Sequence, residues 1–97
     1  MRIVQTKKFM DDIASIKDDR LYSAISQRLH RVAGGNLGDY KSIGDGVSEL
    51  RIHYGAGYRI YYTVRGREII FLLCGGPKSD QKRDIKKAKE LNKGIEL

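Results

Sequence analysis

Two one-sided apolar stripes mark the first third of the chain. Phe9, Met10, Ile13 and Ile16 make the first, and Leu21, Ile25, Leu29 and Val32 make the second at steps of four, four and three. Both follow the 3.6-residue period of an amphipathic helix. Thr6 stands where the first helix needs an N-cap, and Asp18 and Asp19 stand where the second begins. "AGGNLGD" (Ala33–Asp39) ends the second helix with residues that tolerate left-handed backbone. So short a connection between the helices predicts an antiparallel hairpin. "RIVQ" (Arg2–Gln5) before it predicts a short strand.

Beyond residue 46 the period changes to two. Val47–Tyr54, Tyr58–Val64 and Glu68–Cys74 read as strands, joined by "GAG" (Gly55–Gly57) and "RGR" (Arg65–Arg67). "YKSI" (Tyr40–Ile43) adds a short extended piece, and "GDG" (Gly44–Gly46) turns the chain. "GGPKSD" (Gly75–Asp80) breaks the last strand, and Ser79 or Asp80 caps a third helix through about Lys93, with Ile85, Ala88 and Leu91 as its narrow stripe. The expected order is β-α-α-β-β-β-α in one domain spanning residues 1–97, an α+β fold with helices packed on a twisted antiparallel sheet. Alternation assigns Leu50, Ile52, Tyr54, Tyr58, Ile60, Tyr62 and Val64 to the helix-covered face. Arg51, His53, Arg59, Tyr61 and Thr63 are left together on an open face. In the last strand Ile69, Phe71 and Leu73 oppose Ile70, Leu72 and Cys74, so both faces are apolar and this strand is the most enclosed.

Charge gives that open face a possible meaning. The chain of 97 residues carries a net charge of +7. Residues 47–97 hold eleven basic and six acidic side chains, against eight and six in residues 1–46. Such a surplus favours a polyanion or an acidic protein partner. Arginine grips phosphate through two N–H groups, and tyrosine or histidine stacks on an unpaired base or meets a 2′-OH. The alternative is an ordinary solvated strand face, and Lys86, Lys87 and Lys89 equally suit a solvated helix face. The single cysteine, Cys74, excludes an internal disulfide and a cysteine-rich zinc site. With only His30 and His53 beside it, no metal cage is expected, and no phosphate-cradling motif points to a cofactor. The early charges of "MRIVQTKKFMDD" do not suit a signal peptide, and no apolar run approaches the ~20 residues of a membrane span. The expectation is a cytoplasmic protein without a membrane partner.

"GVSELRIHYGAGYRIYY" together with "LLCGGPKSDQKRDIKKAK" resembles the RelE/ParE superfamily of toxins, in its addiction module killer protein (RelE/HigB-like) branch. The resemblance runs from about Ile3 to Lys93. It implies a microbial RNase-type fold and a type II toxin held inactive by a cognate antitoxin. RelE-like members enter the ribosomal A site and cut messenger RNA without metal, through attack of the ribose 2′-OH on its own phosphate. ParE-like members inhibit DNA gyrase instead. A binding module without catalysis is a third possibility. On the RelE pattern Arg59 stabilises phosphate charge, with Arg51, His53, Tyr61 and Lys78 as further catalytic candidates and Lys82, Arg83 and Lys86 as RNA contacts. The chain departs from the pattern in one respect: no tyrosine follows Tyr62, where RelE carries a catalytic one. Proton transfer then falls to Tyr61, His53 or a lysine, or the ribosome assists, histidine being the side-chain type suited to it near neutral pH.

Overall fold

The computed structural model describes residues 1–95. Five strands form one sheet: β1 (Arg2–Gln5), β2 (Tyr40–Gly44), β3 (Val47–Ile52), β4 (Tyr58–Arg65) and β5 (Ile69–Pro77). Three helices accompany them: α1 (Lys7–Ala14), α2 (Asp19–Ala33) and α3 (Gln81–Lys93), the last preceded by a 3-10 turn at Lys78–Asp80. The first two expected caps are in place, whereas Asp80 stands at the start of α3 without a side-chain capping bond. Thr6 accepts from the Phe9 N–H at 3.1 Å, and Asp18 accepts from Arg20 and Leu21 at 3.0 and 3.2 Å. Asp45 and Gly46 both take positive φ between β2 and β3, the left-handed pair that a tight hairpin demands.

The class is α+β, but the sheet is mixed rather than antiparallel. Its order is β1-β5-β4-β3-β2, and β1 runs parallel to β5, with Arg2 opposite Ile69 and Gln5 opposite Leu72. The extended piece at Tyr40 is a full edge strand, so four strands, not three, follow the helices. The last strand does not break at Gly75 either. It continues through Gly76 to Pro77, pairing Tyr58 with Pro77.

The helices divide between the two faces. Phe9 of α1 and Ile25 and Val32 of α2 bury against Leu50, Ile52, Tyr58, Ile60, Tyr62, Ile70 and Leu72. On the other face α3 lays Ala88, with Ile85 and Leu91 beside it, over Val47, Tyr61, Leu73 and Cys74. The face expected to be open is therefore covered over most of its length. Met10, placed on the first stripe by spacing, is 49% exposed and lies off it. Among the described residues no helix is long and apolar enough to cross a membrane.

A β-bulge sets how β5 serves both layers. Tyr61 pairs with Cys74 but Tyr62 with Leu72, which leaves Leu73 as the extra residue. Leu73 and Cys74 consequently point to the α3 side together, whereas strict alternation puts Cys74 with Leu72. The bulged carbonyl finds a donor in the cap of α1: the Thr6 hydroxyl gives its proton to the Leu73 carbonyl at 2.7 Å, while the Thr6 N–H bonds to Leu72 at 3.1 Å. One hydroxyl thus caps a helix and satisfies a bulge. Thr6→Ala is expected to cost about 1–2 kcal/mol, lowering the melting temperature by about 4–8 °C per kcal/mol. Thr6→Ser, which keeps the hydroxyl, should retain most of that stability in thermal unfolding.

Candidate functional site

Glu49 and Arg51 of β3 and Arg59 and Tyr61 of β4 share the α3 side of the sheet. Arg51 lies directly opposite Arg59, and Glu49 opposite Tyr61. Both Arg51 backbone groups are engaged away from β4: its N–H donates to the Asp39 carbonyl at 2.9 Å, and its carbonyl accepts from Arg28 at 2.8 Å. Arg51 and Arg59 are thus a non-hydrogen-bonded pair, the kind whose Cα atoms come within about 4.5 Å. Like charges so placed destabilise a sheet unless anions accompany them.

Two carboxylates perform that service. Glu49, 2% exposed, lies 3.5 Å from the Nε of Arg59, which is itself 7% exposed. Gln81, the first residue of α3, donates to the same Glu49 oxygen at 3.0 Å. Asp39, in the loop before β2, accepts from Arg51 at 2.8 Å and from the Nε2 of His53 at 2.5 Å. Those two hydrogen bonds, His53's first and Arg51's second, hold the Asp39 carboxyl below the usual carboxylate range. Arg28 fixes the loop by donating to the carbonyls of Leu37 at 2.8 Å and Asp39 at 2.5 Å as well as to that of Arg51. Sequence reasoning passed over Glu49, Asp39 and Arg28. Only Glu49 carried a readable signal, as the one carboxylate in the same alternating set as the arginines.

The predicted residues separate into groups. Arg51 and Arg59 meet at the end of the sheet, with His53 exposed next to Arg51 through Asp39. Lys78 joins them: its N–H bonds to the Gly57 carbonyl at 3.2 Å, and its side chain and the Arg59 guanidinium flank Gly57. Lys82 and Lys86 are exposed on α3. Arg83 is turned elsewhere, 3.0 Å from Asp80 and 3.5 Å from Asp84. Tyr61 contradicts the open-face expectation, being fully buried beneath α3. Its hydroxyl has no hydrogen-bond partner among the described residues, and burial, with Glu49 and Asp84 adding, raises its pKa above the ordinary phenol value. A phenol so placed has no contact with a solvent-borne substrate. The third helix explains the discrepancy, since its apolar stripe needed a surface and β5 was apolar on both sides.

What remains is a surface suited to anions. With Nε2 directed to Asp39, Nδ1 is the ring nitrogen of His53 left outside that bond. Two arginines and a lysine supply positive charge nearby. Among the described residues no three His, Cys, Asp or Glu side chains are gathered as a metal site. Because the folded Asp39 value is depressed, its ionised contacts are complete above the unfolded value of about 3.9 and are lost as pH falls through the lower folded one. A carbon-13 titration should place the Asp39 midpoint below that of a free aspartate. His53→Ala and Arg51→Ala should each move it upward, and a midpoint unmoved by both would contradict the bridge.

Comparison with known proteins adds a family. Residues 11–93 match the family model described as Phage derived protein Gp49-like (DUF891). A Haemophilus influenzae (strain Rd) protein described as uncharacterized is 41% identical over 97 residues, covering the whole of this chain and 98% of its own length. With the family match extending from α1 to the end of α3, the chain belongs to the Gp49-like phage-derived protein family.

Proposed function

We propose that this chain is the toxin of a type II toxin–antitoxin pair and acts as an endoribonuclease on messenger RNA in the ribosome. The observation that carries the reading is the cross-strand pair Arg51 and Arg59, two like charges held face to face beside Lys78 and His53. The RelE/ParE resemblance and membership of the Gp49-like family support it. A phosphate suits such a pair, because each guanidinium offers paired N–H donors to its oxygens. Arg59 keeps Glu49 on its Nε and offers its terminal N–H groups to the phosphate, while Arg51 shares its guanidinium with Asp39.

In this mechanism His53 Nδ1 takes the proton of the ribose 2′-OH, and the resulting oxygen attacks the adjacent phosphorus. Arg59 and Arg51 hold the charge that develops on the phosphorane oxygens. The bond from phosphorus to the 5′-oxygen breaks, with Lys78 or water protonating the leaving oxygen. The products are a 2′,3′-cyclic phosphate and a 5′-hydroxyl. Asp39 serves as a positioning residue, fixing the tautomer and direction of the imidazole. A cognate antitoxin is the expected partner, its acidic groups competing for the same cations. The burial of Tyr61, in a chain with no later tyrosine, favours a second reading: a gyrase inhibitor on the same fold, without nuclease chemistry.

Exposed residues make the cleanest test, since Arg59→Ala would strand Glu49 in the interior. His53→Ala and Lys78→Ala, induced in growing cells with mRNA ends mapped during translation, should each lower cleavage by about 100-fold or more. Antitoxin binding and folding should survive. Undiminished cleavage by the folded double variant would remove the site assignment. Growth arrest with intact mRNA and altered DNA supercoiling would replace the nuclease reading with the gyrase one.

A further inference from the structure

A cavity of about 350 Å³ opens between α1, the α1–α2 turn and the start of α3. Its floor is the edge of β5 at Gly75–Pro77, past Leu72, the last residue that pairs with β1. Asp84 of α3 lies on this floor with its side chain 9% exposed. Its Oδ2 has no hydrogen-bond partner among the described residues. That oxygen rests over Gly76 so closely that a Cβ there would stand 2.1 Å away, which explains the glycine. The other oxygen reaches Arg83 only at 3.5 Å, and Arg83 is shared with Asp80. Burial drives the Asp84 pKa upward against the pull of Arg83, with Asp80 and Asp12 adding to the rise. A buried carboxylate with an unmatched oxygen lacks a donor that native structures almost always supply.

The surroundings indicate which donor fits. On a chain of net charge +7, the cavity lining carries four carboxylates against three cations. One of those cations, Lys8, is already bound to Asp12, whose second oxygen accepts from the Gly75 N–H at 3.0 Å. Ile16, Leu21 and Tyr58 supply the apolar part of the lining. An acidic floor with an apolar lining matches a long side chain that buries its methylenes and carries its charge at the tip.

We propose that this cavity binds an aliphatic chain ending in an ammonium or guanidinium group, its head on Asp84 and Asp80 and its stem along Ile16 and Leu21. The source is a lysine or arginine of a bound protein or a free polyamine, which share this chemistry. The incoming head takes the place of the Arg83 guanidinium, whose side chain is 75% exposed and can swing clear, on Asp80 and on the second Asp84 oxygen. Arg51, His53, Arg59 and Lys78 do not line the cavity, and the proposal holds whether or not the chain cleaves RNA.

The test uses the full chain with carbon-13-labelled carboxylates, titrated separately with N-acetyl-argininamide, spermidine and the neutral N-acetyl-glutaminamide. A saturable shift at Asp84 is expected with a cationic probe, accompanied by a fall in its titration midpoint, because a bound cation favours the ionised form. Asp84→Asn and Asp80→Asn should each weaken binding at least tenfold. Asp80, with its side chain 39% exposed, can be replaced without disturbing the core should Asp84→Asn fail to fold. A response to the arginine derivative alone assigns the site to a protein side chain, and a response to spermidine alone assigns it to a polyamine. No saturable shift with either cation, equal binding of the neutral analogue, or undiminished affinity in the folded variants would each defeat the proposal.

Discussion

The buried pair of Glu49 and Arg59 is the constraint on which the candidate site depends. Each ion has given up water, a penalty of several kcal/mol per group, and their 3.5 Å separation without an aligned hydrogen bond recovers only part of it. Evolution toward stability alone would favour two apolar residues here. The pair instead keeps a guanidinium inside the sheet, ready at the start of β4 beside Arg51. Gln81 extends the dependence to α3, since the helix that closes this face begins with a hydrogen bond to Glu49. The order of sheet, helix and cation is therefore one arrangement rather than three.

Local signals in the sequence were read well because they act locally. Thr6, Asp18 and the Asp45–Gly46 turn each satisfy backbone groups within a few residues, so their positions survive any tertiary context. The sheet face was misassigned for the opposite reason. Alternation sorts residues into two sets, but it does not say what covers each set. The apolar character of Ile69 through Cys74 on both sides was the clue that a helix was needed on each face. The parallel pairing of β1 with β5 was equally hidden, because it depends on how the helices carry the chain to the far edge.

The candidate site was partly legible for the same reasons. Arg51 and Arg59 were found by strand period and family resemblance, and their register then brought them together. Asp39 escaped notice because it precedes β2 and meets His53 only after the edge strand has folded back. Arg28 looked like one more polar position on α2, yet it is buried and spends its donors on backbone carbonyls of the loop and β3. Polar groups that organise a loop leave no periodic trace, since their partners are backbone atoms present at every residue.

The bulge at Leu73 gives β5 a requirement of length separate from its requirement of composition. Residues before the bulge are set in phase by β1 and the lower half of β4, and residues after it by the upper half of β4 and the carboxylates of Asp12 and Asp84. The two halves are offset by one residue. Removing Leu73 itself would restore an unbroken ladder with each remaining residue still opposite its β4 partner, so Gly75, Gly76 and Pro77 would keep their faces. A residue inserted or removed elsewhere in β5, by contrast, would slide one half against its partners and exchange what each layer meets. The strand records a count as firmly as it records a pattern of side chains.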